Sequence, residues 1–141
     1  MARIILQWTL LLGLSIFATV RSRRPEQAGI AILLGMALLD LGYHQLVEGP
    51  GQYASVDAFH MFNDMWALVA FVWLALSADR FWPLCTGGLQ LVAALSHLLR
   101  STETEMLQLV YAMMIRVPFW AQIGVLFFAI IRHRVPRRVR S

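Results

Sequence analysis

The chain contains no lysine. All twelve of its basic residues are arginine, a bias that nucleotide composition explains, so no function is drawn from it. Cysteine is almost as scarce. Cys85 stands alone, which excludes an intrachain disulfide and any Cys-x-x-Cys motif; it reads as a small apolar packing residue. Charge is short too. Only 14% of the residues are charged and 59% are hydrophobic, whereas about a quarter of a soluble domain is charged. That deficit excludes an ordinary soluble domain, and 141 residues leave no room for a separate soluble catalytic module. There is no glycine loop for phosphates, no repeat of fixed period, no low-complexity segment and no Ser/His/Asp arrangement in a soluble context.

What is present is a series of long apolar runs. Ile4–Val20, Ala28–Val47, Ala58–Ala78, Phe81–Leu99 and Met106–Ile131 each approach the ~20 residues that a helix needs to cross a bilayer. The expected fold is therefore all-α: one polytopic membrane helix bundle over residues 1–141, with five transmembrane helices and a basic tail over 132–141. The first run has the outline of a secretory signal, with Arg3 ahead of an apolar core. No small-x-small site precedes Arg21-Ser22-Arg23-Arg24, so a retained helix is expected.

The connections carry a charge pattern. With the N-terminus outside, the inner segments hold nine arginines: three in 21–27, one at Arg80 and five in 132–141. The outer segments hold Arg3 and Arg100, and Arg116 lies within a span. Basic residues stay on the cytoplasmic side, so N-out and C-in is expected, in a bacterial inner membrane. The net charge of +4 does not indicate nucleic acid. The arginines sit at the ends of apolar runs, and the basic tail lacks the interleaved aromatics that stack on bases. Anionic lipid headgroups are its natural surface.

The ionisable residues inside the runs are the main functional signal, because charge in hydrocarbon is costly and marks a site or a paired network. Asp40-x-x-x-His44 closes the second run and His60-x-x-x-Asp64 opens the third. At ~1.5 Å per residue, two antiparallel helices put His44 and His60 at one level, ~3–5 Å beneath the outer boundary, and Asp40 and Asp64 at ~9–11 Å. His97 falls in the histidine layer, and Arg116 with Gln90 lies ~15 Å deep. The polar residues thus concentrate in the outer leaflet.

Several chemistries suit this set. Neutral imidazoles with carboxylates bind transition metals, so His44, His60, His97, Asp40 and Asp64 form a candidate metal set, for copper first and then zinc or iron. Met61 and Met65 flank it. A b-type haem between two histidines, packed by Tyr43, Phe59, Phe62 and Trp66, is a further option. A structural alternative pairs Arg116 with Asp40 or Asp64 and leaves the histidines to water or headgroups. The protein is then an accessory or assembly subunit of a larger membrane complex, or a homo-oligomer. A proton or solute pathway is a third class, although the polar layer stops near the midplane. No catalytic residue and no enzyme class follow from these spacings.

Asp40-x-x-x-His44 with His60 is similar to the Asp/His/His copper site in a membrane subunit of particulate methane monooxygenase, with a different His–His interval. The resemblance implies copper and carries no oxidation chemistry. The stretches ADRFWPLCTGGLQLVAALSHLLR and YAMMIRVPFWAQ resemble uncharacterised small bacterial multi-spanning membrane proteins, to which no function is attached.

Overall fold

A computed structural model of the chain describes residues 2–21, 24–46, 58–102 and 107–132. They form helices α1 (Ala2–Arg21), α2 (Arg24–Leu46), α3 (Ala58–Ser77), α4 (Trp82–Thr102) and α5 (Gln108–Arg132). Four helices are long and apolar enough to span a membrane: Arg24–Leu46, Ala58–Ser77, Trp82–Thr102 and Leu109–Arg132. The apolar part of α1, Ile5–Val20, is shorter. The protein is thus a polytopic all-α membrane protein. The acidic loop expected over 48–57 and most of the basic tail lie outside the described residues.

Local chemistry explains the helix starts. Pro25 near the N-terminus of α2 lacks only an N–H that has no helical partner there, and Glu26 in the same turn faces the positive end of the helix dipole. Pro83 plays the same part at the start of α4. The hydroxyls within the apolar helices bond back to their own helix. Thr9 Oγ1 donates to the Ile5 carbonyl at 2.7 Å, Ser15 Oγ to Leu11 at 2.6 Å and Ser96 Oγ to Ala93 at 2.6 Å. Such bonds let a polar side chain sit where no water is available. Large apolar side chains such as Leu12, Ile16, Trp73, Leu76 and Phe128 stay exposed, which is the expected outer surface of a lipid-facing bundle.

Successive helices pack side by side, and α5 returns to touch α2 and α1. Successive helices are antiparallel. Along α2 and α3, Asp40 meets His60, Met36 meets Asn63 and Gly35 lies against Trp66, so one index falls as the other rises. Along α4 and α5, His97 meets Tyr111 and Gln90 meets Gln122. The core contains Leu11, Leu33, Phe71 and Leu126, all fully buried. Gly29 lets Trp82 approach α2: a Cβ there would lie 2.6 Å from the indole Cη2 and 2.9 Å from Leu126 Cδ2. A glycine at that point lets the indole pack directly against the α2 backbone.

Candidate metal centre

The polar residues form two groups around one cavity of about 390 Å³ that all five helices line. The first group joins α2 to α3. His60 Nε2 lies 3.1 Å from Asp40 Oδ1, and His44 Nε2 lies 3.4 Å from the same oxygen. His44 is one helical turn beyond Asp40, so α2 itself presents both on one face. The imidazole centroids of His44 and His60 are 5.3 Å apart. Tyr43 and Phe59 stack at 4.2 Å with their planes 5° from parallel, and the Tyr43 ring meets His60 edge-on at 5.5 Å. These ring contacts tie α2 to α3 beside the histidines and limit how far their rings can rotate.

Asp40, His44 and His60 are each half-buried, and one ligand atom from each lies within 4.8 Å of the other two. This cluster can coordinate a metal ion. A tetrahedral ion with ligand bonds of ~2.0–2.1 Å separates its ligand atoms by roughly 3.3–3.4 Å. The two distances to Asp40 Oδ1 bracket that value. The same spacing serves an N–H donating to a carboxylate; metal binding needs the tautomer whose proton is on Nδ1, leaving Nε2 bare. Among the described residues three protein donors meet at this point.

The second group is buried and continuous. Gln90 Nε2 donates to Asp64 Oδ1 at 2.9 Å and to the Asp64 carbonyl at 3.1 Å. His97 Nε2 lies 2.8 Å from Asp64 Oδ2, and the Tyr111 hydroxyl lies 2.7 Å from His97 Nδ1. With Tyr111 donating to Nδ1, Nε2–H faces the carboxylate, and Asp64, His97 and Tyr111 are each partnered. Gln122 Nε2 extends it to Gln90 Oε1 at 2.8 Å and to the Thr86 carbonyl at 3.1 Å. His97, Gln90 and Gln122 are fully buried, and Asp64 nearly so. Arg100 lies at the Tyr111 end of the chain, its guanidinium 5.9 Å from the Tyr111 ring centroid.

Asp40, His44 and His60 therefore come together, while Asp64 and His97 pair with each other. The two aspartates are not equivalent. Asp40 serves histidines on its own helix and on α3, whereas Asp64 turns to α4. Arg116 lines the same cavity as both aspartates and is half-buried. Tyr111 and Gln122 carried no role in the sequence reading. A signal for them existed: they lie eleven residues apart, about three helical turns, on one face of α5. Gln90 and His97 on α4 are seven residues apart, about two turns, and so share one face as well; the antiparallel pair turns these two faces to each other.

Compared with protein-family models, curated proteins and solved structures, the chain matches none, so a reading of this site rests on its own geometry.

Proposed function

We propose that the protein is a metal-binding, redox-related integral membrane protein whose ion is held by Asp40, His44 and His60. The observation that carries this reading is the meeting of two imidazole nitrogens and one carboxylate oxygen on a cavity wall inside an apolar bundle. Copper is the first candidate. A site of two imidazoles and one carboxylate follows the usual divalent order, in which Cu²⁺ binds most tightly, and imidazole equally suits zinc or iron. His97 and Asp64 support the site from behind by fixing α3 against α4.

The orientation belongs to the same proposal. Five spans with the N-terminus outside put Asp40, His44 and His60 in the outer leaflet of a bacterial inner membrane, in keeping with the arginine distribution. In a Cys85→Ser background, Gln52→Cys is expected to react with a membrane-impermeant maleimide in intact spheroplasts, and Arg80→Cys only after lysis. The reverse pattern would invert the topology.

The metal reading is tested by purifying the protein in mild detergent without added metal, then loading it with copper, zinc or ferrous iron and removing the excess. Elemental mass spectrometry should find one copper per chain in the wild type and none in Asp40→Ala. Equal metal contents in the two proteins would overturn the assignment. A second reading is an accessory subunit of a larger membrane complex in which the polar residues are structural. The completeness of the Asp64–His97–Tyr111 chain favours it, since that chain needs no ligand. Co-purification of a stoichiometric partner, with no retained metal, is its expected signature.

A further inference from the structure

We propose that the central cavity is a binding site for the ring of a membrane quinone. The cavity lies among helices long and apolar enough to span a bilayer, so a ligand dissolved in lipid is the natural visitor. Its volume of about 390 Å³ falls in the ~300–1,000 Å³ range of small-molecule sites.

The walls divide by chemistry. Trp8, Phe119 and Trp120 supply aromatic faces, and Met36 and Ile115 add aliphatic surface. Asp40, His60, Asn63, Asp64, Gln90 and Tyr111 supply polar groups. A flat ring stacks on the first set while its oxygens turn to the second. Both redox forms find partners. A quinone carbonyl accepts a hydrogen bond from the second hydrogen of the Asn63 amide, whose first goes to the Met36 carbonyl, or from the Arg116 guanidinium, and a quinol hydroxyl donates to a carboxylate or a bare imidazole nitrogen.

Charge narrows the ligand class. Two carboxylates, Asp40 and Asp64, share the wall with one guanidinium, Arg116. An added phosphate or fatty-acid carboxylate would face an excess of like charge in a poorly hydrated space. A neutral molecule carrying oxygens on a ring avoids that repulsion. The Asp64–His97–Tyr111 chain is tied to the cavity at both ends, since Asp64 and Tyr111 line it and His97 joins them from behind. The polar wall is therefore pre-ordered before a ligand arrives, which lowers the entropy lost on binding.

This inference concerns the cavity and does not require an ion at Asp40, His44 and His60. The test accordingly uses chelator-treated protein in nanodiscs, titrated with decylubiquinone while tryptophan fluorescence is followed. Trp8 and Trp120 line the cavity, and quinones quench indole emission on contact. The expected result is a saturable component at a 1:1 ratio, weakened at least about tenfold by Ala37→Leu, which fills the cavity from α2. Ile115→Phe, which fills it from α5, is a second variant with the same expectation and guards against misfolding of the first; helicity by circular dichroism identifies a variant that has not folded. Quenching that rises linearly with the quinone-to-lipid ratio would show simple partitioning and overturn the proposal. So would a saturable component that survives in folded Ala37→Leu and Ile115→Phe, or one that oleate displaces as readily as quinone does. Failure here leaves the metal reading standing, and failure of metal loading leaves this titration unaffected.

Discussion

Asp64→Ala is expected to destabilise the protein by about 2–4 kcal/mol, the largest loss anticipated from any cavity-wall residue. His97 Nε2 loses its acceptor outright and Gln90 Nε2 loses one of its two, keeping only the backbone carbonyl of residue 64; both donors are fully buried. Each orphaned buried group costs about 1–3 kcal/mol. In a bilayer the denatured chain finds substitute partners, which returns part of that loss and sets the lower bound of the range. Asp64→Asn should recover roughly half, because the amide oxygen still accepts one of the two bonds. Thermal unfolding in mild detergent reads the difference. His97→Ala should follow the same pattern and exceed Arg116→Ala, since His97 is fully buried and Arg116 only half-buried. If Arg116→Ala proves the more damaging, the neutralising role that the sequence suggested for Arg116 is supported, and the chain through His97 is secondary.

The second large effect separates the two groups of histidines. His60→Ala should weaken copper binding by more than the ~100-fold that losing a supporting partner can cost, because it removes one of the three protein donors that meet among the described residues. His97→Ala, assayed at a temperature where it remains folded, should keep its copper within about tenfold of wild type, the milder end of the effect for a group that only orients the site. Competition with a chromophoric copper chelator measures both. Retention of copper by His60→Ala together with loss in His97→Ala would exchange their roles and move the metal site towards α4. Equal weakening by both would make the three histidines one ligand set, as their common depth in the sequence suggested.

Much of this arrangement was legible before any tertiary contact was known. The helices fall close to the apolar runs. The run at 58–78 corresponds to Ala58–Ser77, and that at 106–131 to Gln108–Arg132. Hydropathy marks such segments because the transfer of a helix into hydrocarbon depends on its own composition. The extension of α2 back to Arg24 was missed because Arg24, Pro25 and Glu26 are not apolar, although proline and an acid suit a first turn. The pairing of Asp40 with His44 was equally local, since i,i+4 spacing on a helix puts both on one face.

The partner of Asp64 was not legible in this way. The mirrored order of Asp40, His44, His60 and Asp64 invites a symmetrical reading in which each aspartate serves the histidine on its own helix. The structure breaks that symmetry. Asp40 reaches His60 on α3, and Asp64 reaches His97 and Gln90 on α4. Depth along one helix is a one-dimensional quantity that the rise per residue supplies. The direction in which each helix faces is not such a quantity. It follows from side-chain packing, as where Gly29 admits the Trp82 indole, Tyr43 stacks on Phe59, and Gly35 lies against Trp66.

The sequence by itself determined that the chain is helical, apolar and built to span a membrane, and that Asp40 and His44 share one face of a helix. Tertiary structure alone decided which histidines and aspartates meet. It brought Asp40, His44 and His60 to one point beside a cavity, and closed Asp64, His97 and Tyr111 into a buried chain. The physical reason is that hydropathy and helical rise act along each segment separately, whereas the rotation of five helices about their axes is set by contacts between residues far apart in the chain.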